Sequence, residues 1–573
     1  MIDTYGENYF LLGPYFPDKI RTDFRSITDP GDSPLAQTID HLRSLGFEIH
    51  YGYWLLDDSR PRVLLFNPNI NTQCLNEVKT RLWEKYRLST IVPDQTMDQV
   101  IGFGEIVRLF MTEYAERMQS DQDVLVHFHE WMSASALPEL VDRPVRIATA
   151  FTTHATVLGR YLAPNEQDYF SQCQNMDWKS KSVFYGIETQ VLLERIVAEK
   201  THVFITDSAN TARECELFLG RKPDSIIYNG INKRPAPRDE LFQVYQKNRE
   251  KIDSFVKALF LPSYPLQTDK TLYFFTSGRY EYRNKGFDIT LEAMARLNGL
   301  LMQQKSDITI VLFIISKQPF QTIRPDVLEA RQKYHDLRKI CAEISQRLGP
   351  RLYSTVTNEK GKVLPNLNSL VDDELLLTWK QAVLDFKRNE LPPITTHQLT
   401  VQDDITAFCH MAGLDNKESN RVKVIYHPDF MERARSLFSM DYQDFIKGCN
   451  LGIFPSLYEP WGYTPMETAM GGTPVITSDT SGFGQYISEA MQDPASNDMY
   501  YVNRRLHSDE EATMQLTDIL MQFSESFIKE QYVPRAILPK QTTDPLCWTN
   551  LQPRYHEVYK LAFMRLYPGS GLY

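Results

Sequence analysis

Short apolar runs recur along this chain and alternate with longer stretches whose apolar residues return at helical spacing. The first half offers Asn8–Leu12, Val124–Phe128, Ile147–Phe151, Val203–Thr206 and Ile226–Tyr228 as strands. The second offers Leu272–Phe275, Ile308–Ile314, Val422–Tyr426, Leu451–Phe454 and Pro474–Thr477. Runs so continuously apolar suit strands covered on both faces, as in parallel sheets flanked by helices. Two such sets, separated by Lys233–Asp269, predict an α/β protein with two doubly wound, Rossmann-like domains. Ligands of such sheets gather beyond the carboxyl ends of the strands, so the cleft between two facing domains is the expected site. From about Thr322 to Arg421 the rhythm breaks into charged, helix-favouring sequence (EARQKYHDLRKICAEISQRLG) and then a loop-like stretch (NEKGKVLPNLNS). This is a helical insertion in the second domain, either a solvated excursion or an oligomer interface.

Bulk properties narrow the class. At 573 residues the chain exceeds one core, and its 42% hydrophobic and 24% charged content is that of a globular protein. A net charge of −11 lacks the basic footprint of a nucleic-acid binder. The 7 scattered cysteines form no CxxC pair and read as reduced thiols of a cytosolic protein. No apolar run approaches the ~18 residues of a membrane span, and the start lacks the charged and apolar regions of a signal peptide. The expectation is a cytoplasmic protein engaging neither membrane nor nucleic acid.

The chemistry concentrates in Tyr458–Gly484, YEPWGYTPMETAMGGTPVITSDTSGFG. Glu459 precedes Pro460 and should be extended. Thr464 is placed to cap the next helix, with Pro465 at its first position and Glu467 at its third, a capping box. The free amides at such a helix start suit phosphate, and a nearby carboxylate suits sugar hydroxyls. Capping alone also accounts for Glu467, and a helix C-terminus for Gly471-Gly472; geometry leaves both readings open. After the strand ending near Phe275 comes SGRYEYRNKGFD, where Arg279 and Lys285 share a turn with Gly278 and Gly286. Two cations there suit a diphosphate, one as a fork and one as a point charge, although an isolated basic loop is more often simply solvated. In FTTHATVLGRYL, His154 leaves a strand and Arg160 follows; a lone histidine at a strand end is more often structural. VHFHEWMS brings His127, His129, Glu130 and Trp131, read mainly as packing and hydrogen bonding, without the H-E-x-x-H spacing of a zinc site. Tyr442 in SMDYQDFIKG reads as an aromatic at a helix start, and Asn229-Gly230-Ile231-Asn232 as a turn or a sugar contact.

Taken together, these strings closely resemble glycogen synthases of the animal and fungal type, over nearly the whole chain from about Tyr9. The resemblance implies a GT-B fold: an acceptor-side domain over 1–240, a nucleotide-sugar domain over 241–545 with its insertion at about 322–421, and a helix over 546–573 crossing back to the first domain. It implies a retaining transferase moving glucose from UDP-glucose to the non-reducing 4-hydroxyl of glycogen or another α-1,4-glucan, without metal or cofactor. His154 and Arg160 fall on the family's active-site histidine and arginine, and Arg279 and Lys285 on its donor-phosphate cations. Tyr442 falls on the tyrosine that stacks on uracil. Glu459 would orient glucose hydroxyls, and Trp461, Gly462, Tyr463, Thr464 and Glu467 would line the donor, with Asn229 near the cleft. The insertion packs a homotetramer in that family.

Two departures stand out. Family members begin with a strand and a glycine-rich K-V-G-G-I-Y-type turn, whereas this sequence starts at MIDTYGENYFLLGPY. A sheet lacking that central strand would leave neighbouring edges unpaired, and the alternative expected on this ground is a catalytically impaired, glucan-binding or scaffold relative. The arginine-dense regulatory helix is matched by FSESFIKEQYVPRAILPKQTTD, with Arg535 its single arginine, so weak or no activation by glucose 6-phosphate is expected.

Overall fold

The computed structural model describes all residues except 21–22, 28–30, 57–58, 91–93, 119–121, 144, 167–168, 233–237, 359–364, 433–436, 531–539 and 569–573. Arg535 therefore lies outside the described residues. Contacts divide the chain into two units: Met1–Asn232 with Glu459–Trp461 and Asp544–Tyr573, and Lys233–Tyr458 with Gly462–Thr543.

The first unit holds two four-stranded sheets. One contains β1 (Phe10–Pro14), β2 (Phe24–Ser26), β3 (Ile49–Trp54) and β4 (Arg62–Phe66) in the order β1-β4-β3-β2. Here β1 and β4 run parallel, and β3 lies antiparallel to both its neighbours. The other contains β5 (Val124–His129), β6 (Ile147–Thr153), β7 (Val203–Thr206) and β8 (Ser225–Ile226), in that order and all parallel. Both sheets feed one apolar core, with Leu64 and Phe66 from the first, Val126 and Phe128 from the second, and Phe103, Ile106 and Phe110 from the helix Gln95–Arg117. A second cluster forms where the helix Trp548–Leu566 lays Leu551, Val558 and Ala562 on Ala148, Ala150, Val203 and Ile205 of β6 and β7. Ile226–Tyr228, expected as a strand, pairs only over Ser225–Ile226.

The second unit is built on one six-stranded, all-parallel sheet in the order β13-β10-β9-β14-β15-β16. Its strands are β9 (Thr271–Ser277), β10 (Thr309–Ile315), β13 (Val422–His427), β14 (Leu451–Ile453), β15 (Val475–Ser478) and β16 (Met499–Val502). Every residue of β9, β10 and β13 is buried, as expected of parallel strands covered on both faces. The inserted region starts with a small antiparallel ribbon, β11 (Phe320–Ile323) against β12 (His397–Leu399), and carries long helices at Pro325–Asn358 and Asp373–Phe386. No described helix is long and apolar enough to cross a membrane.

Candidate active site

In the first unit the four parallel strands end in a row of polar side chains. β5 ends at His129, His154 directly follows β6, Asp207 directly follows β7, and Asn229 lies just past β8. Because neighbouring parallel strands are in register, residues leaving their carboxyl ends sit side by side. His129 Nδ1 lies 3.5 Å from His154 Nε2, with nearly parallel rings at 11°. His154 Nδ1 is 3.2 Å from Asp207 Oδ2, and Asn229 Nδ2 donates to the same oxygen at 2.7 Å. The backbone N–H of His154 donates to Glu130 Oε1, which also lies 3.6 Å from Arg160 Nη2.

Burial opposes a charge on His154. Its bond to Asp207, with the charges of Asp207 and Glu130, outweighs that effect and raises its pKa, while Arg160 pulls the other way. His129 keeps one edge toward solvent, but the protein packed around it, and the charge of His154, hold its pKa down to about 4. His127 is also lowered well below the usual histidine value, by burial and then by the charges of His129 and His154; its ring bonds Tyr559 Oη at 2.9 Å and Thr152 Oγ1 at 2.7 Å, as a packing residue would. Burial raises the Glu130 carboxyl, tempered by Arg160 and His154. Arg160 sits exposed within the helix Val157–Asn165.

Asp207 was not legible as a site residue. A TDS triplet after a buried strand reads as a helix cap, and Ser208 does cap the helix Ala209–Glu214. The signal available in the sequence was positional: an acid at the carboxyl end of the strand following the one that carries His154.

The second unit gathers a different set around the end of β9. Ser277 Oγ bonds Tyr442 Oη at 2.7 Å, at the first turn of the helix Tyr442–Gly448. Burial raises the Tyr442 phenol, partly offset by that bond. Arg279 is exposed and pairs with Glu281 at 2.9 Å. The stem of Lys285 lies against Gly278. Gly286 has φ +70°, and a Cβ there would meet the Pro455 carbonyl at 2.4 Å; only glycine closes this turn without strain. The turn is tied to the segment before Glu459 by Leu457 N–H donating to the Asn284 carbonyl at 2.8 Å.

The expected capping box does not form. The helix runs Tyr463–Met470, its cap position is Gly462 at φ 106°, and no side chain caps it. Glycine alone takes that left-handed turn readily, so the helix starts before Thr464 can act as its cap and Pro465 falls inside the first turn. Glu467 consequently lies beyond the first turn; burial raises its carboxyl, and it accepts from Gln443 Nε2 at 3.2 Å. That bond links it to the helix carrying Tyr442. Tyr463 is half exposed. Trp461 is buried and stacks on Tyr228 at 5.4 Å between ring centroids, within the first unit. Among the described residues no group of three or more His, Cys, Asp or Glu side chains is arranged to hold a metal ion.

Both units carry parallel α/β sheet, with histidine and acid side chains at the strand ends of the first and a basic turn at a strand end of the second; this is the doubly wound class whose ligands bind beyond the carboxyl ends of the strands. The family model for glycogen synthase matches residues 1–571. The glycogen [starch] synthase of Neurospora crassa is 35% identical over 570 residues, covering 99% of this chain and 80% of that protein. The liver glycogen [starch] synthase of Homo sapiens is 34% identical over 571 residues, with 99% and 80% covered. Isoform 1 of Saccharomyces cerevisiae is 34% identical over 584 residues, with 98% and 82% covered. The chain belongs to the glycogen synthase family. A distant solved structure is the catalytic domain of starch synthase IV from Arabidopsis thaliana, at 12% identity and TM-score 0.49, with 98% of this chain and 93% of that one covered.

Proposed function

We propose that this chain transfers glucose from UDP-glucose to the non-reducing 4-hydroxyl of an α-1,4-glucan such as glycogen, with retention of configuration. The observation that carries the reading is a pair of strand-end constellations in one chain of this family: His154 with Asp207 and Asn229, and Arg279 with Lys285, Ser277 and Tyr442. Arg279, Lys285 and the N-terminus of the helix Tyr463–Met470 would stabilise the departing diphosphate, electrostatic catalysis at a point where negative charge develops. Tyr442 offers a ring to the base, and Glu467, not engaged in capping, is available to the ribose. Glu459 would orient the glucose hydroxyls beside Trp461, Gly462, Tyr463 and Thr464. His154 would meet the transferred sugar, and Arg160 the phosphate side. The anomeric carbon would pass through an oxocarbenium-like state, as in glycoside hydrolysis. The same reading makes the protein a cytoplasmic homo-oligomer assembled through the helices Pro325–Asn358 and Asp373–Phe386, with weak or no response to glucose 6-phosphate.

The test is incorporation of radiolabelled glucose from UDP-glucose into glycogen by the full chain. Transfer is expected, and Lys285→Ala or Glu459→Ala should each abolish it while circular dichroism and melting remain those of the parent. No incorporation by folded protein would overturn the reading; retained activity in either variant would refute that residue's role.

A further inference from the structure

The row His129–His154–Asp207–Asn229 contains an acid whose environment is hard to explain by packing. Asp207 is 1% exposed. Its Oδ2 takes two hydrogen bonds, from His154 and Asn229, while its Oδ1 is buried without a partner among the described residues. Burying a carboxylate with an unsatisfied oxygen is costly unless a neighbouring charge compensates. The base in direct contact is the imidazole of His154, whose side chain keeps 32% of its surface exposed against 2% for that of Asp207. The buried acid therefore stands behind a ring that remains accessible.

We propose that Asp207 is a positioning residue for His154: it fixes Nδ1–H toward itself, stabilises the imidazolium, and leaves Nε2–H as a charged hydrogen-bond donor to an oxygen of the bound nucleotide sugar. Without substrate that donor points at His129 Nδ1, 3.5 Å away, and the neutral His129 ring serves as its resting acceptor. The distance is at the limit of a hydrogen bond, so a substrate oxygen replaces this partner at little cost. Asn229 donates to the same Asp207 oxygen that faces the ring, and holding that oxygen in place is its part in the row. The groups facing His154 are Asp207 after β7, Glu130 and His129 from the end of β5, and Arg160 from the helix Val157–Asn165, with His127 stacked behind His129 at 4.1 Å. Two acids oppose one guanidinium, and the acid with direct contact to the ring is Asp207. A carboxylate that orients a histidine and supports its charge without itself touching substrate is a known device in acyl transfer; here it would serve glycosyl transfer.

This inference rests on the proposed role of His154, and the experiment separates the two. Full-length protein labelled at histidine is titrated by NMR, with the His154 signal assigned by its loss in His154→Gln. In the parent its midpoint should lie above about 6.5, and at pH 7 the ring nitrogens should report either the imidazolium or a neutral ring protonated at Nδ1. Asp207→Asn should lower the midpoint by about one unit, and Asp207→Glu should restore most of it. Glucose transfer should then decline at a pH about one unit lower in Asp207→Asn, since each unit is a tenfold change in the protonated fraction. An unmoved midpoint in Asp207→Asn, or a neutral ring protonated only at Nε2 in the parent, overturns the proposal. The second measurement does not use Asp207→Asn and stands even where that variant fails to fold. A midpoint that moves while the pH profile of transfer does not leaves Asp207 as the group that sets the His154 charge and removes His154 from the reaction.

Discussion

The two units cover parallel sheet in different ways. In the second, six strands form one uninterrupted sheet, and its central strands are buried along their whole length. In the first, eight strands divide into two sheets of four that share a core, with β1 and β5 each paired on one side among the described residues. β1 shows the consequence: none of its residues is fully buried, and Leu11 is 37% exposed. An edge strand holds half the ladder hydrogen bonds of an interior one and buries less apolar surface. Opening free energy should therefore be unevenly distributed, highest through β9 and β10 and lowest along β1. The chemistry follows the same division. The first unit builds its constellation from four separate strand ends, whereas the second concentrates its own around one turn after β9.

The strongest way to break this comparison is to truncate matched apolar residues. Phe274 is fully buried in β9 and packs edge-on against Phe523 at 5.8 Å. Phe274→Ala should cost about 3–5 kcal/mol in urea denaturation, and Leu11→Ala in β1 less than about 1 kcal/mol. Similar losses at both positions would refute the unevenness. A smaller effect is expected at the basic turn. Gly286→Ala adds backbone strain and a clash with Pro455, and should cost roughly 1–3 kcal/mol. Glucose transfer should also fall, because Lys285 is displaced; unchanged stability and rate would show that the turn tolerates a side chain.

The finest probe is pH, because each unit buries an ionisable group whose pKa burial shifts toward neutrality, an acid in the first and a base in the second. Glu194 in the first unit accepts from Thr153 Oγ1 at 2.8 Å and Val157 N–H at 2.9 Å, and burial pushes its pKa up to about 8. Its folded pKa lies above the unfolded value, so its contribution is intact below about pH 4.3 and lost as pH rises through about 8. Lys423 in the second unit lies over the Tyr264 ring at 4.6 Å, and burial pulls its pKa down to about 7. Its contribution is present above about pH 10.4 and lost as pH falls through about 7. Glu194→Gln should flatten the fall in melting temperature between about pH 4.3 and about pH 8. Lys423→Met should flatten the fall on the acid side of its unfolded value. Unchanged pH dependence in either variant would mean that group titrates normally.

How much of this was legible in the sequence depended on burial. The strands of the six-stranded sheet announced themselves as apolar runs because helices cover both faces; Ile308–Ile314, for example, lies one residue from β10. β3 escaped notice because its exposure is mixed and Gly52 interrupts it. The isolated ribbon of β11 and β12 carries too few apolar residues to register. Of the site, Arg279, Lys285 and Tyr442 do converge on the end of β9, since one turn and one helix start fix all three. The capping box failed for a local reason: Gly462 in a left-handed conformation starts the helix earlier than Thr464 would. Asp207 stayed hidden because its partner is remote in sequence and adjacent only through strand register.

The composition of the first unit also bears on how the protein is made. The helix Trp548–Leu566 covers the face of β6 and β7, laying Leu551 and Val558 on Val203 and Ile205. Synthesis produces those strands early and their cover late. The contiguous span Lys233–Thr543 can assemble its six-stranded sheet, apart from Glu459–Trp461, as it emerges. An apolar surface on the earlier unit meanwhile stays open until the helix Trp548–Leu566 has left the ribosome. Domains commonly fold in the order they are translated, and exposed apolar surface invites aggregation. Here the half translated first is the half finished last, so slow or interrupted translation beyond Thr543 would expose the sheet that carries His154.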